Sequence, residues 1–160
     1  MEDLVPRFLV VVGGMLLAVG YTSPAAGQQP RPIRATHLVA EFVRTHPDLA
    51  AMEVALDTLG RCRTVAASDP KDVGERCDAD ELGPMRTGTP NVDAPTPADP
   101  VYDITQALHD SAGRLIGAVG MDLPPNGQRR RDVVDRARRL LRELEALIPS
   151  KASLLAPVTP

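Results

Sequence analysis

Asp103 and Thr105 are the side chains of this 160-residue chain whose type and spacing most directly suit ligand binding. They stand two residues apart in an alternating segment, so in a β-strand they share one face. The other face would carry Tyr102, Ile104 and Leu108. If the polar face lines a pocket, the Asp103 carboxylate can accept hydrogen bonds from an ammonium or hydroxyl group. If it does not, Asp103 is a solvent-facing strand residue, and the sequence leaves both interpretations open.

The other polar residues do not predict catalysis or a metal site. His37, His46 and His109 are widely separated, and none stands in the HExxH spacing of a zinc site. Ser68 precedes Asp69, but the GxSxG context of a serine nucleophile is missing, and capping of a turn explains both residues. We therefore expect no enzymatic activity, no cofactor and no metal.

The first 27 residues predict export by a signal peptide. Residues 8–21 are apolar and uncharged, but the run is shorter than the roughly 20 residues that span a bilayer. Ala25 and Gly27 satisfy the small-x-small rule of signal peptidase, so the mature chain would begin at Gln28. We expect a periplasmic or extracellular protein, and the alternative is an uncleaved N-terminal membrane anchor.

Cys62 and Cys77 are the only cysteines. In an exported chain an even number of cysteines predicts a disulfide, and a loop of about 15 residues would stabilise the fold by roughly 3 kcal/mol. The alternatives are metal-ligating thiolates, a redox pair or two free buried thiols. The sequence contains neither CxxC nor CxxCH, which favours the structural disulfide.

Composition and charge narrow the choice of partners. The chain has two Phe, two Tyr and no Trp, which leaves little surface for stacking on bases or sugars. Its formal net charge of −3 gives no general attraction to nucleic acid, so we expect no nucleic-acid partner. The basic run at residues 129–131 is either a solvated helix face or a contact for an acidic partner or anionic lipid headgroups.

The apolar periodicity predicts one domain over residues 36–148, after a tether at 28–35 and before a frayed tail at 149–160. Its expected elements are a helix capped by Thr36, strands near 52–57 and 62–67, a helical turn over 69–74, a helix over 79–86 capped by Asp78 and Glu81, a Pro-rich loop over 87–100 with a short edge strand at 91–93, a long hairpin over 101–123 and an amphipathic helix over 128–148. Strict alternation places Cys62, Thr64 and Ala66 on one face of the second strand and Val65 and Ala67 on the other. In the hairpin it turns Leu115, Val119, Met121 and Leu123 toward the core.

This order of elements resembles the Cache branch of PAS-like sensor domains. The resemblance covers about residues 36–123 and depends on two motifs. The first is the Asp-Pro, then Val-Gly pattern in 68–74, after a strand. The second is the D-x-x-G-x-x-x-G pattern of the final strand pair, formed by Asp110, Gly113 and Gly117.

The resemblance implies an α+β fold with a PAS-like or Cache-like antiparallel sheet of about five strands, helices on one face, and a small-molecule pocket between the sheet and the short helices. The residues expected to border that pocket are Thr64, Ser68, Asp69, Asp103 and Thr105. The aromatic and Arg cluster that holds amino-acid ligands in one subgroup of the family is absent here.

The implied function is an exported, sensor-like domain that binds a small molecule, a carboxylate being one class, without its own output module and as an accessory to a membrane signalling protein. The alternative is a structural or interaction protein with the same fold and no ligand pocket. A polar cavity between the sheet and residues 69–86 would favour binding, whereas a sheet face filled with aliphatic side chains would favour the alternative.

Overall fold

Alternating apolar and polar residues build one antiparallel sheet at the centre of the protein. A computed structural model describes residues 33–158. The strands are β1 (Ala51–Thr58), β2 (Arg61–Ala67), β3 (Asn91–Asp93), β4 (Tyr102–His109) and β5 (Leu115–Leu123). They lie in the order β2-β1-β5-β4-β3, and every neighbouring pair is antiparallel.

Four helices flank the sheet: α1 (Arg34–Thr45), α2 (Ala79–Thr87), α3 (Arg130–Ala146) and α4 (Lys151–Leu155). The predicted α+β architecture, an antiparallel sheet of five strands flanked by helices with a long amphipathic C-terminal helix, is confirmed. None of the helices within residues 33–158 combines the length and hydropathy that a membrane-spanning helix needs. The predicted signal peptide and most of the predicted tether lie outside the described residues.

One face of the sheet, which we call the apolar face, holds the core. Met52, Val54 and Leu56 of β1 are buried there against α1, α3 and α4. The helices contribute a matching apolar stripe, with Val39, Phe42, Val133, Ala137, Leu144 and Leu154 in the same cluster. The described elements thus share one apolar core, as expected of a domain that folds on its own.

The opposite face, which we call the polar face, is crossed by α2. Met85 of α2 lies with its Sδ 3.9 Å from the Sγ of Cys62, which faces this side beside Asp57. The expectation of helices on one face is therefore wrong. The local prediction for α2 is confirmed: Asp78 and Glu81 form a reciprocal capping box, and Gly88 ends the helix at φ 70°.

A β-bulge changes the faces of β2. The pairing of β1 with β2 shifts between Val54 and Ala55, so Ala66 opposite Val54 is buried in the core, whereas Thr64 opposite Ala55 lies on the polar face. The prediction that Thr64 and Ala66 share a face is wrong, because a bulge inserts a residue that strict alternation does not anticipate. Val65 and Ala67 are separated for the same reason.

A similar irregularity affects the hairpin. Val119, Met121 and Leu123 are fully buried as predicted, but Leu115 is 46% exposed. The pairing of β4 with β5 shifts between Leu108 and His109, and Ile116 is buried in place of Leu115.

Both ends of the described chain differ from the sequence prediction. Ile33, not Thr36, is the N-cap of α1, so Arg34 and Ala35 belong to the helix rather than to the tether. Residues after Ser150, expected to be frayed, form α4, and Leu154 is 3% exposed. The two ends meet, because the Arg34 N–H donates to Ala156 O at 3.0 Å.

The segment after β2 also differs in detail. Residues 69–74 form turns rather than a helical turn, and the Lys71 N–H donates to Asp69 Oδ1 at 3.0 Å. The segment then follows the outer edge of β2. The Thr64 N–H donates to Glu75 O at 3.0 Å, and the Gly74 N–H donates to Thr64 O at 2.8 Å.

Cys62 and Cys77 form a disulfide in the structure, with their Cα atoms 5.3 Å apart. The Cys77 N–H also donates to Cys62 O at 3.2 Å. The bond therefore fastens the returning segment to the edge of β2.

Loss of this disulfide should lower stability. We expect the Cys62→Ser/Cys77→Ser variant to unfold at a lower urea concentration. Its free energy of unfolding should fall by roughly 3 kcal/mol for a loop of this length. Alkylation without reductant, followed by mass spectrometry, should find no free thiol in the native protein. Two alkylated cysteines, or a variant as stable as the wild type, would contradict the prediction.

Gly117 is required by a close approach of strands. A Cβ built at this position would lie 1.9 Å from the Ala55 carbonyl oxygen of β1. Gly117→Ala should therefore cost about 3 kcal/mol or more, measured by urea unfolding. The matched control is Gly113→Ala in the hairpin turn, where φ is +75° and the space is open, so that only about 1 kcal/mol should be lost. Equal losses would argue against the close approach.

Candidate functional site

Three aspartates lie side by side across the polar face. Asp122 of β5 pairs with Asp103 of β4, and Asp103 pairs with Asp93 of β3. Glu53 of β1 lies on the same face in the adjacent row, opposite Gly120. Like charges directly across neighbouring strands destabilise a sheet, so this row opposes folding unless protons or positive charge offset it.

A cavity of about 210 Å³ lies between these residues and the segment after β2. We call it the carboxylate cavity. Its polar lining residues are Glu53, Ser68, Asp69, Asp72, Asp103 and Asp122. No lysine or arginine of the described residues lines it. The volume equals that of about seven water molecules in the liquid, which suits a small ligand.

The pKa values of the lining carboxyl groups respond to this crowding. Burial raises the pKa of Glu53 to about 7, with further increases from the charges of Glu81 and Asp103. Partial burial, then the neighbouring charge of Asp122, raises the pKa of Asp103 to about 6. Burial also raises the pKa of Asp122. These groups therefore hold protons at pH values where ordinary carboxyl groups are ionised.

Neighbouring residues position the Glu53 side chain. A Cβ at Gly120 would lie 3.0 Å from Glu53 Cγ, so this glycine leaves the room that Glu53 occupies on the sheet. The Thr64 hydroxyl lies 3.5 Å from Glu53 Oε2 on the other side. Glu53 is thus placed at the cavity by its two neighbouring strands.

Ser68 has a structural partner. Its hydroxyl donates to Met52 O at 3.1 Å and accepts from the Met52 N–H at 2.9 Å. Ser68 therefore joins the end of β2 to β1 at the edge of the cavity. Both hydrogen bonds of its hydroxyl group are made to the backbone of β1.

The structure brings three of the five predicted ligand-binding residues to the cavity: Ser68, Asp69 and Asp103. Thr64 and Thr105 lie on the same face but are buried beside the cavity rather than lining it. Contact of any of the five with a ligand stays a prediction.

Sequence reasoning missed Glu53, Asp72 and Asp122. Glu53 alternates with Met52 and Val54, and Asp122 alternates with Met121 and Leu123. Both were thus marked as polar-face residues by their spacing. What the sequence does not contain is the pairing of β1 with β5, which sets Glu53 and Asp122 in adjacent rows.

The carboxylates do not converge on one point. Within residues 33–158, no three His, Cys, Asp or Glu side chains are grouped closely enough to hold a metal ion. Negative charges spread along a row suit an organic cation with several hydrogen-bond donors. His109 joins the hairpin to α3, since its Nδ1 lies 3.0 Å from Glu145 Oε1.

A second cavity of about 580 Å³ lies at the other end of the polar face. We call it the arginine cavity, since Arg61, Arg63 and Arg76 line it together with the disulfide, Leu82 and Met85. Asp57 is the carboxylate among its lining residues, and the Oδ1 of Asp57 is buried without a described hydrogen-bond partner.

No family model matches the chain, and no curated protein matches it in sequence. Among solved structures, it is similar to the repressor BlcR of Agobacterium tumefaciens, with a TM-score of 0.50 and 10% identity over 72% of this chain and 67% of that one. It is also similar to a candidate transcriptional regulator, RHA06195 of Rhodococcus sp. RHA1, with a TM-score of 0.51 and 12% identity over 79% of this chain and 70% of that one.

A further similarity is to the periplasmic domain of RsbU from Chlamydia trachomatis, with 15% identity over 74% of this chain and 40% of that one. Its TM-score of 0.44 is too low to support a conclusion. The similarities to BlcR and RHA06195 show a shared fold and leave the ligand and the activity to be argued from the site itself.

Glu53→Gln should stabilise the protein in a pH-dependent way. Because folding raises the pKa of Glu53 from 4.5 to about 7, the folded state favours the protonated form. The contribution of Glu53 to the free energy of unfolding is fully present below about pH 4.5. It is lost as the pH rises through about 7. The glutamine variant should therefore gain about 2 kcal/mol at pH 8 and little at pH 4.5, measured by urea unfolding.

The matched control is Asp135→Asn on the exposed side of α3, where the side chain is 57% exposed. A surface carboxylate of this kind contributes less than about 1 kcal/mol. An equal gain for Glu53→Gln at both pH values would show that burial of its charge does not limit stability.

Proposed function

We propose that this chain is an exported, sensor-like domain that binds a small cationic molecule in the carboxylate cavity. The observation that carries the proposal is a cavity whose described lining residues include five carboxyl groups and no lysine or arginine: Glu53, Asp69, Asp72, Asp103 and Asp122. The positive charge of a ligand ammonium group placed among these carboxylates would offset their negative charge and reduce the repulsion between them. Folding and binding would then be coupled through the same carboxyl groups.

The charge of the cavity selects the class of ligand. A carboxylate ligand, one class considered from the sequence, would bring another negative charge next to Glu53, Asp103 and Asp122. An ammonium or guanidinium group meets the opposite situation, because each of its N–H donors finds a carboxylate oxygen. The small volume favours a short aliphatic amine or diamine, and the low aromatic content of the chain fits a site based on charge rather than stacking.

Binding is favoured over a purely structural role by the chemistry of the polar face. A structural protein without a pocket would fill this face with aliphatic side chains, whereas here four carboxylates occupy neighbouring positions on four strands. We propose no enzymatic step, because the Ser68 hydroxyl bonds to the Met52 backbone rather than to a general base.

Export and signalling belong to the proposal as well. A disulfide between Cys62 and Cys77 supports an oxidising compartment such as the periplasm or the cell exterior. In that setting the liganded domain would act through a membrane signalling partner. The fold shared with BlcR and RHA06195 is compatible with this role. The support for the role itself comes from the cavity.

Small diamines should bind, and the affinity should rise with pH. We would measure thermal shift and calorimetric titration with putrescine, whose two amines both stay protonated up to pH 8, using succinate as the matched dianion. A ligand at 100 times its dissociation constant should add about 2.7 kcal/mol of stability. Because Glu53 and Asp103 lose protons near pH 7 and 6, binding of a cation should be tighter at pH 8 than at pH 5.5.

Asp103→Asn/Asp122→Asn should weaken diamine binding at least about tenfold, since each charge-assisted hydrogen bond contributes on the order of 1.5–3 kcal/mol. Asp135→Asn should leave it unchanged. Binding of succinate in place of the diamines, or diamine affinity that is independent of pH and of Asp103, would refute the proposed ligand class.

A further inference from the structure

Both hairpin turns of the sheet lie at the same end of the domain. β1 and β4 run in the same direction because each is antiparallel to β5. The β1–β2 turn at Leu59 and Gly60 and the β4–β5 turn at 110–114 are therefore at one end of the sheet. α3 also ends here, since the Ser111 N–H donates to Ile148 O at 2.8 Å. We call this end the hairpin end.

Exposed apolar side chains concentrate at the hairpin end. Four large apolar side chains are exposed among the described residues, and three of them are here: Leu59 at 102%, Leu147 at 58% and Leu115 at 46%. The fourth, Val73, follows Asp72 of the carboxylate cavity. Single exposed leucines are ordinary, but grouping at one end indicates a contact surface.

Leu59 occupies a backbone position that leucine disfavours. It has φ 57° and is followed by Gly60 at φ 75°, the pairing of a two-residue hairpin turn in which Asn, Asp or Gly is the usual first residue. Its side chain is fully exposed, so no contact within the domain offsets the backbone cost. A role outside the domain accounts for leucine at this position.

Uncompensated positive charge lies near the turn that carries Leu59, because Arg61 and Arg76 line the same cavity as Gly60. Arg61 follows the turn, and Arg76 lies beside Arg63 on the returning segment. Neither Arg61 nor Arg76 forms an ion pair with a described carboxylate. Both line the arginine cavity, whose one described carboxylate is that of Asp57.

The basic run at the other end of the domain differs in this respect. Arg129 and Arg131 both pair with Asp132, at 2.9 and 3.4 Å. The carboxylate of Asp132 therefore partly neutralises their charge. Among the described residues, no exposed leucine lies beside them. An apolar tip among free guanidinium groups is found at the hairpin end, and it complements an anionic lipid surface.

The chain also enters the described domain at the hairpin end. Ile33 forms a backbone bridge with Pro157 just after α4, and Lys151 at the start of α4 donates from Nζ to Asp57 O at 2.6 Å.

We propose that the hairpin end docks on an anionic phospholipid bilayer, with Leu59 inserted among the lipids and Arg61 and Arg76 against their phosphates. The proposal is independent of the carboxylate cavity, which lies at the opposite end of the polar face. It gives the domain a fixed orientation, in which that cavity faces away from the membrane.

Vesicle sedimentation tests the proposal with a chain that begins at Gln28, so that the apolar run does not contribute. The protein should bind vesicles of mixed phosphatidylglycerol and phosphatidylcholine, and should bind pure phosphatidylcholine far less. Leu59→Asn should lower the partition coefficient about tenfold through loss of apolar burial. Arg61→Gln should lower it about fivefold, and high salt should weaken binding. Asparagine tolerates the left-handed backbone, so the Leu59 variant should keep the fold, as checked by its thermal unfolding.

Two matched controls sit away from the hairpin end. Val73→Asn removes another exposed apolar side chain, and Arg130→Gln removes another exposed positive charge, at the start of α3; both should bind within about twofold of the wild type. The proposal is overturned if the protein does not bind vesicles or binds them equally well whatever their lipid charge. It is also overturned if the control variants weaken vesicle binding as much as Leu59→Asn and Arg61→Gln do. Arginine-dependent binding of soluble glycerol phosphate without vesicle binding would assign the arginines to a free anion instead, and would also overturn it.

Discussion

The pairing of β5 with both β1 and β4 is the constraint on which the rest of the structure depends. β5 is the middle strand of the sheet, and its register decides which residues of its neighbours share a face. One side of β5 completes the core with Val119 and Met121, which are fully buried. Its other side brings Asp122 next to Asp103. The apolar core and the row of carboxylates are thus two results of a single register, and a shift by one residue would exchange them.

This shared origin explains how the domain tolerates an unfavourable polar face. The core on the apolar face gains stability from apolar burial, whereas the polar face brings together carboxyl groups that repel one another. Burial, together with that repulsion, raises the pKa values of Glu53 and Asp103. A sheet with a weaker apolar face would have little free energy to offset such a row, so stability on one face permits specialised chemistry on the other.

The features that sequence reasoning predicted are those encoded by neighbouring residues. Asp78, Glu81 and Gly88 define α2 through bonds within one or two turns, and the alternation in β4 and β5 defines the hairpin. The features that it missed depend on residues distant in the chain. The bulge opposite Val54, the burial of Leu154 and the placement of Asp122 and Glu53 in adjacent rows arise only when separate elements pair. No local periodicity specifies those contacts.

The disulfide has a consequence for the edges of the sheet. An uncovered edge strand offers unpaired N–H and C=O groups to other molecules and invites aggregation. At one edge β3 has only three residues, and at the other the segment held by Cys77 bonds to Thr64 and covers the middle of β2. The bond between Cys62 and Cys77 therefore protects the protein from aggregation. It holds this segment against β2, the longer of the two edge strands, and so keeps β2 from pairing with another chain.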